Sequence, residues 1–312
     1  MEFGYVLPTF EDPQTGDPPR WQHLRELCVT AEEGGFDTVW VSDEFVSNEE
    51  SWGGARGWWE CVSLLAAVAE ATSTIGVGTW VLSMLHRNPV LSARVAATLD
   101  EVSDGRLTLT LGAGHAADGD GSGYPTDHTV SRYEEALQIM LSLLREGEVE
   151  FAGDYHRSEG AQLRPAGPRR GGIPVILGGH GPRTMRIAAR YGDGWSGYTQ
   201  GDSRPEAFGD MLAAIDEACD DVGRDPKTLQ RSLGIMVDPS GSGSAEAIGF
   251  GAAIGGSTDE IVDTFGRFAE VGVTRLELAT WPWPTAHDGL QATIPAVQQF
   301  SRRAQAEGKG TR

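Results

Sequence analysis

Ile173-Pro-Val-Ile-Leu-Gly-Gly-His-Gly-Pro-Arg183 is the stretch that decides the fold. A short β-rich run, Ile173 to Leu177, meets a glycine cluster, and an amphipathic helical stretch starts at once behind it. Asp193-Gly-Trp195 then opens the next strand candidate. Such a junction exposes backbone N–H groups and a helix N-terminus at a strand's carboxyl end, where an anionic group such as phosphate is favoured. An ordinary strand-to-helix turn would read the same way. The feature repeats, however: Leu111-Gly-Ala-Gly-His115 is a second glycine-rich exit from an earlier unit of the same kind.

The alternation extends in both directions from this stretch. Strand candidates are Phe3–Leu7, Thr38–Ser42, Ile75–Leu82, Arg106–Leu111, Pro174–Leu177, Gly194–Tyr198, Gln230–Val237 and Arg275–Ala279. Helical periods lie between them, near 20–34, 58–72, 88–102, 131–145, 181–190, 205–222, 257–271 and 288–307. In the fourth, Tyr133, Ala136, Leu137, Met140, Leu141 and Leu144 follow helical spacing and give one buried stripe. Ser131 with Glu134 and Ser257 with Glu260 each read as a capping box, and Gly105 as a helix-ending residue. Eight β-then-α units in one chain point to an α/β fold, a closed (β/α)8 TIM barrel; the rival is an open, doubly wound sheet.

Two segments break the rhythm. Residues 146–172 are glycine- and proline-rich with a basic Arg169-Arg170 pair, and residues 238–256 form a Ser/Gly-rich stretch that reads as a lid or a surface loop. The expectation is one barrel domain over 1–312, with both insertions over the carboxyl-terminal face.

Composition narrows the function. The 312 residues are 39% hydrophobic, as in a soluble globular enzyme, and the net charge of −20 argues against nucleic acid or an anionic membrane as partner. The apolar run from Cys61 to Ala71 is too short to span a bilayer, and Met1-Glu2-Phe3-Gly4 lacks a basic leader, so a cytoplasmic protein is expected. Cys28, Cys61 and Cys219 are widely spaced and read as buried structural thiols.

A barrel places its chemistry at the strands' carboxyl ends. Those exits bring together Pro8-Thr9-Phe10, Asp43-Glu44, Trp80-Val81, Gly112-Ala113-Gly114-His115, Gly178 to Arg183, Tyr198, Asp238 and Thr280-Trp281, a mouth suited to a flat aromatic cofactor with a phosphate tail. Adjacent residues leaving a strand point to opposite sides, so Asp43 and Glu44 are not expected to flank one bond as a hydrolase pair. One of them anchors a loop or ligand, and Glu44 is the candidate acid or base. His115 and His180 end neighbouring strands; without metal-ligand spacing they read as ligand contacts or loop packing, and no metal is expected. Arg87 and Arg94 read as surface ion-pairing residues. Trp52, Trp58, Trp59, Trp281 and Trp283 suggest an aromatic-walled pocket.

These motifs, taken in order, resemble the luciferase-like monooxygenase superfamily, in particular its branch of F420-dependent oxidoreductases. The segments that carry the resemblance are Phe36-Asp-Thr-Val-Trp-Val-Ser-Asp43, Ile75-Gly-Val-Gly-Thr79, Arg87-Asn-Pro89, Ala96 to Leu107, Leu111-Gly-Ala-Gly114, Gly178 to Gly181, Ala188 to Trp195, and Gly256 to Ile261 with Glu270 to Leu276. The resemblance implies a barrel holding coenzyme F420, a deazaflavin, or alternatively FMN in its mouth. It implies hydride transfer to or from a small-molecule substrate, and a homodimer. By the same resemblance Asp43 lies near the cofactor ring and Trp80–Val81 is a non-prolyl cis peptide behind it. Gly112, Ala113, Gly114 and His115 line the ring and its chain, and Gly178, Gly179, His180, Gly181 and Arg183 cradle the phosphate. Deazaflavin-dependent relatives commonly have Asp-His where this chain has Asp43-Glu44, so Glu44, with His115 or His180 second, becomes the proposed acid/base. The same-fold alternative is a reduced-FMN-dependent monooxygenase, and a non-catalytic flavin-binding barrel is the alternative of another class.

Overall fold

The computed structural model describes residues 1–48, 52, 54–114, 123–169, 172–199, 201–241, 251–280, 285–306 and 308. Eight parallel strands form the barrel: β1 (Glu2–Val6), β2 (Thr38–Val41), β3 (Gly76–Thr79), β4 (Leu107–Gly112), β5 (Val175–Gly178), β6 (Gly194–Tyr198), β7 (Gln230–Met236) and β8 (Arg275–Ala279). Each is paired with its neighbours in chain order, β8 pairs with β1, and β4 pairs with β5, so the sheet closes and the open-sheet alternative is excluded. A helix follows each strand: α1 (Trp21–Gly34), α2 (Cys61–Ala71), α3 (Pro89–Val102), α4 (Thr129–Glu146), α5 (Pro182–Tyr191), α6 (Gly209–Val222), α7 (Thr258–Glu270) and α8 (Ala286–Ala306).

The period of two along each strand divides the core in two. One set of side chains, among them Phe3, Tyr5, Val39, Val77, Leu109, Leu177, Leu233 and Leu276, packs outward against the helices in a continuous apolar annulus. The alternate set faces inward, where Val6, Trp40, Ile176, Met236 and Ala279 form a separate cluster with Phe10 and Trp52. Cys28, Cys61 and Cys219 are free and buried, as their scattered positions suggested.

Local signals are mostly honoured. Ser257 and Glu260 form a reciprocal capping box at α7. Ser131 and Glu134 do not: α4 starts two residues earlier, behind His128 in the left-handed region, and both side chains are turned to Arg183 instead. The strand expected over Ile75–Leu82 is broken after Thr79, and a second short segment, Leu82–Ser83, pairs with β4 at Leu111 and Gly112. Residues 146–172 contain a hairpin, Glu148–Ala152 against Arg157–Gln162, that was not anticipated as strands. The hairpin runs along the outside of α4 rather than over the mouth. Glu135 of α4 accepts hydrogen bonds from the backbone N–H groups of Asp154, Tyr155 and His156, and Arg132 lies over the Tyr155 ring. The insertion leaves from the amino-terminal side of the barrel, after α4, and that origin sets its course. Of residues 238–256, those at 242–250 lie outside the described residues; Ile254 bridges to Val237 and Ala252 to Asp202.

Candidate active site

Four loops position the side chains of the mouth. After β2, Asp43 turns inward and is 3% exposed. It accepts from the Ser83 backbone N–H at 2.9 Å and from Arg87 through both oxygens, at 2.5 and 2.8 Å. Arg87 also donates to Glu60, which caps α2, and only 12% of its side chain is exposed. Arg87 is therefore a half-buried strut between two loops, not a surface ion-pairing residue. Arg94 does lie at the surface, on the carbonyls of Gln162 and Arg164. Burial raises the Asp43 pKa, but the nearby His86 ring and the Arg87 hydrogen bonds and charge outweigh it and hold the carboxyl below its ordinary value. Both Asp43 oxygens are thus occupied, and its role in the structure is to fix the segment from Ser83 to Arg87.

Glu44, its neighbour, is exposed on the loop, so the two carboxylates separate as the strand geometry required. His86, which the sequence reading passed over, is 4% exposed, stacks on Phe45 with centroids 4.1 Å apart, and places Nδ1 3.6 Å from Asp43. Its only signal in the sequence was adjacency to Arg87.

The Trp80–Val81 peptide is cis. Val81 projects between the ends of β4 and β5. A Cβ placed on Gly112 would stand 2.8 Å from Val81 Cγ2, and one on Gly178 would stand 3.2 Å from Val81 Cγ1. These two glycines, separated by sixty-odd residues in the chain and expected to serve different parts of a ligand, are brought to either side of one side chain. Gly114 has φ +78 and lies against Ser83 and Leu85, while Ala113 is half-buried beside it. His115 lies outside the described residues, as do Trp281 and Trp283.

The Trp80 indole crosses the interior. It covers Gly234 on β7, meets Tyr198 edge-on with centroids 5.8 Å apart, and its Nε1–H donates to Glu277 Oε2 on β8 at 2.7 Å. Glu277 is fully buried and also accepts from Ser196 Oγ at 3.2 Å. Burial drives its pKa up, more than the Arg275 charge and these hydrogen bonds draw it down. Glu277 was missed in the sequence, although a carboxylate between Leu276 and Leu278, in a strand apolar apart from Arg275 at its start, is a readable anomaly. Above Trp80, Phe10 stacks on Trp52 and Trp58 with centroids 5.6 and 5.0 Å apart. Trp59, by contrast, faces away, into an outer groove of about 680 Å3 between α1 and α2.

At the β5 exit, Gly179 O accepts from Trp195 Nε1–H, and Gly181 caps α5, whose first turn carries Pro182 and Arg183. His180 is exposed and accepts from the Tyr198 N–H through Nε2 at 3.2 Å; partial desolvation lowers its pKa, so the ring is neutral at pH near 7. Arg183 is half-exposed and donates to Ser131 at 2.9 Å and Glu134 at 2.8 Å. The structure thus joins Gly178 to Arg183 and Gly112 to Gly114 at one rim, and holds Asp43 buried against Ser83 and Arg87.

The closed parallel barrel with an aromatic mouth at the strands' carboxyl ends is a (β/α)8 barrel of the enzyme kind, which carries its chemistry at that face. The family model for luciferase-like monooxygenases matches residues 1–247, and the chain belongs to that family. It is 34% identical over 225 residues to an F420-dependent glucose-6-phosphate dehydrogenase of Intrasporangium calvum, a match covering 69% of this chain and 65% of the relative. Among solved structures, an F420-dependent secondary alcohol dehydrogenase bound to an F420–acetone adduct superposes with a TM-score of 0.78 at 22% identity, covering 95% of this chain and 98% of that one. A riboflavin lyase with modified FMN superposes with a TM-score of 0.79 at 14% identity, covering 100% and 92%. At those identities the likeness concerns the fold. No helix among the described residues is long and apolar enough to cross a membrane.

Proposed function

We propose that the protein is an oxidoreductase that transfers a hydride between coenzyme F420 and a small organic molecule at the barrel mouth. The observation that carries this reading is Val81, set between Gly112 and Gly178 as an apolar shelf. A shelf flanked by two residues without side chains fits the back of a planar tricycle, and the name of the Intrasporangium calvum relative supports the deazaflavin. Gly112, Ala113 and Gly114 would line the ring, and Gly181 with Arg183 at the start of α5 would face the anionic tail. When bound, the cofactor supplies the two-electron carrier.

The remaining work falls to the protein's own groups. Asp43, ionised and locked by Arg87 and Ser83 N–H, holds the loop that continues from the shelf. It is too fully engaged to exchange a proton with a ligand. Glu44 is exposed at the same strand exit and is the carboxylate that can take up or release the proton. Trp80 and the Phe10 cluster exclude water from the floor.

Titration with F420, followed by its fluorescence, and in parallel with FMN, tests the reading. Saturable binding of F420 with turnover that falls about a hundredfold in Glu44→Gln is the expected outcome. Binding of FMN alone, with oxygen uptake by its reduced form, would replace it with a monooxygenase. Unchanged turnover would remove Glu44 from the chemistry.

A further inference from the structure

We infer that the substrate of this mouth is an uncharged, largely apolar molecule of ring size, and not a phosphorylated sugar or other anion. The inference rests on the reading of the mouth as the substrate-binding face and adds its chemical class.

The floor and walls are the first ground. Trp80, Tyr198 and Trp58 are the half-buried aromatics left facing the opening, backed by Phe10, Met236 and Ala279. Below them, Glu277 Oε2 accepts from both Trp80 and Ser196, and its Oε1 is buried out of reach of the opening, without a hydrogen bond among the described residues. Such a surface gains from covering apolar area and offers few groups to replace lost hydration.

The second ground is the supply of positive charge. Lysine occurs only at 227 and 309, and neither position falls in the sequence between a barrel strand and the helix that follows it. Arg87 is held by Asp43 and Glu60. Arg56 spends Nε and both terminal nitrogens on the carbonyls of Asp12, Pro13, Trp52 and Ala55. Arg204 is chelated by Asp202, and Arg183 lies on Glu134 at the α5 end assigned above to the cofactor tail. Arg20 lines the outer groove beside Trp21 and Trp59, away from the barrel axis. The segments 115–122, 242–250 and 281–284 contain neither lysine nor arginine. A phosphate dianion taken into this mouth would lose its hydration without a cation to replace it, in a chain of net charge −20. The Intrasporangium calvum relative is named for a phosphorylated sugar, so the inference separates this chain from it.

The test titrates the protein, both alone and saturated with F420, with 1-phenylethanol, cyclohexanol, acetophenone and glucose 6-phosphate, reading tryptophan emission and heat. At least one uncharged ring compound should bind about tenfold or more tighter than glucose 6-phosphate. Its affinity should hold between about 0.05 and 0.5 M salt. Trp58→Ala should weaken that compound about fivefold, with the far-ultraviolet spectrum unchanged. Glucose 6-phosphate binding as tightly as every ring compound, or an affinity that collapses with salt, would overturn the inference. Failure of F420 to bind would sink the cofactor reading alone, because the titration of the cofactor-free protein still ranks the two ligand classes.

Discussion

Between strands and helices, Phe3, Leu65, Leu137 and Phe265 join one continuous apolar layer. Inside the strands, Trp40 lies over Gly4 and Gly78, Trp80 lies over Gly234, and Glu277 is buried among serines and indole. The outer layer is tolerant in kind: any well-packed set of branched side chains would seal it. The inner one is an exchange in which two tryptophans take the volume that glycines leave open, Trp40 on the adjacent strands and Trp80 across the barrel. Stability resides in the first and shape in the second, and the mouth inherits its floor from the second.

That contrast can be broken by mutation. Leu137→Ala, in the outer layer, should cost about 2–5 kcal/mol in denaturant unfolding. It should leave F420 affinity and the emission maximum of the folded state where they were. Gly234→Ala should cost less, about 1–3 kcal/mol, because its Cβ would fall on the Trp80 ring. It should nevertheless shift the tryptophan emission and weaken ligand binding. If Leu137→Ala disturbs the mouth as much as Gly234→Ala does, the two layers are not separate.

The smallest effect concerns pH. The pKa of Glu277 is raised in the fold above its ordinary 4.5, so the folded state holds the proton more tightly than the unfolded chain. The native state therefore loses stability as pH climbs from about 4.5 through the folded value. Glu277→Gln should keep the acceptor for Trp80 and flatten that part of the profile, so wild type and variant should diverge as pH rises. Parallel profiles would mean that the buried carboxyl does not titrate in this way.

The two layers also differ in how far they could be read from the sequence. All eight strands and helices of the barrel were legible, since the annulus writes itself as periodic apolar residues, as in Tyr133, Leu137 and Met140 of α4. The insertion at 146–172 was read as an interruption, but its hairpin was hidden because Arg157–Gln162 carries polar side chains on a strand that is mostly exposed. At the site, the cis bond at Trp80–Val81 and the separation of Asp43 from Glu44 were anticipated. The Asp43–Arg87–Glu60 chain was not, because Arg87 comes from a different loop than the two carboxylates, which themselves stand at opposite ends of theirs, and no local spacing links them. The Ser131–Glu134 pattern was misread for a similar reason: a capping spacing carries no sign that Arg183, some fifty residues on, will claim both side chains.

The most direct measurement is an F420 fluorescence titration of wild type beside Gly112→Ala, each shown to be folded by its far-ultraviolet spectrum. The added methyl would stand 2.8 Å from Val81 Cγ2 and push the shelf out of place. Saturable wild-type binding, weakened about tenfold or more in the variant, is the result expected if Val81 backs the ring. No binding by the wild type, or equal binding by both proteins, would contradict the placement of the cofactor at this mouth.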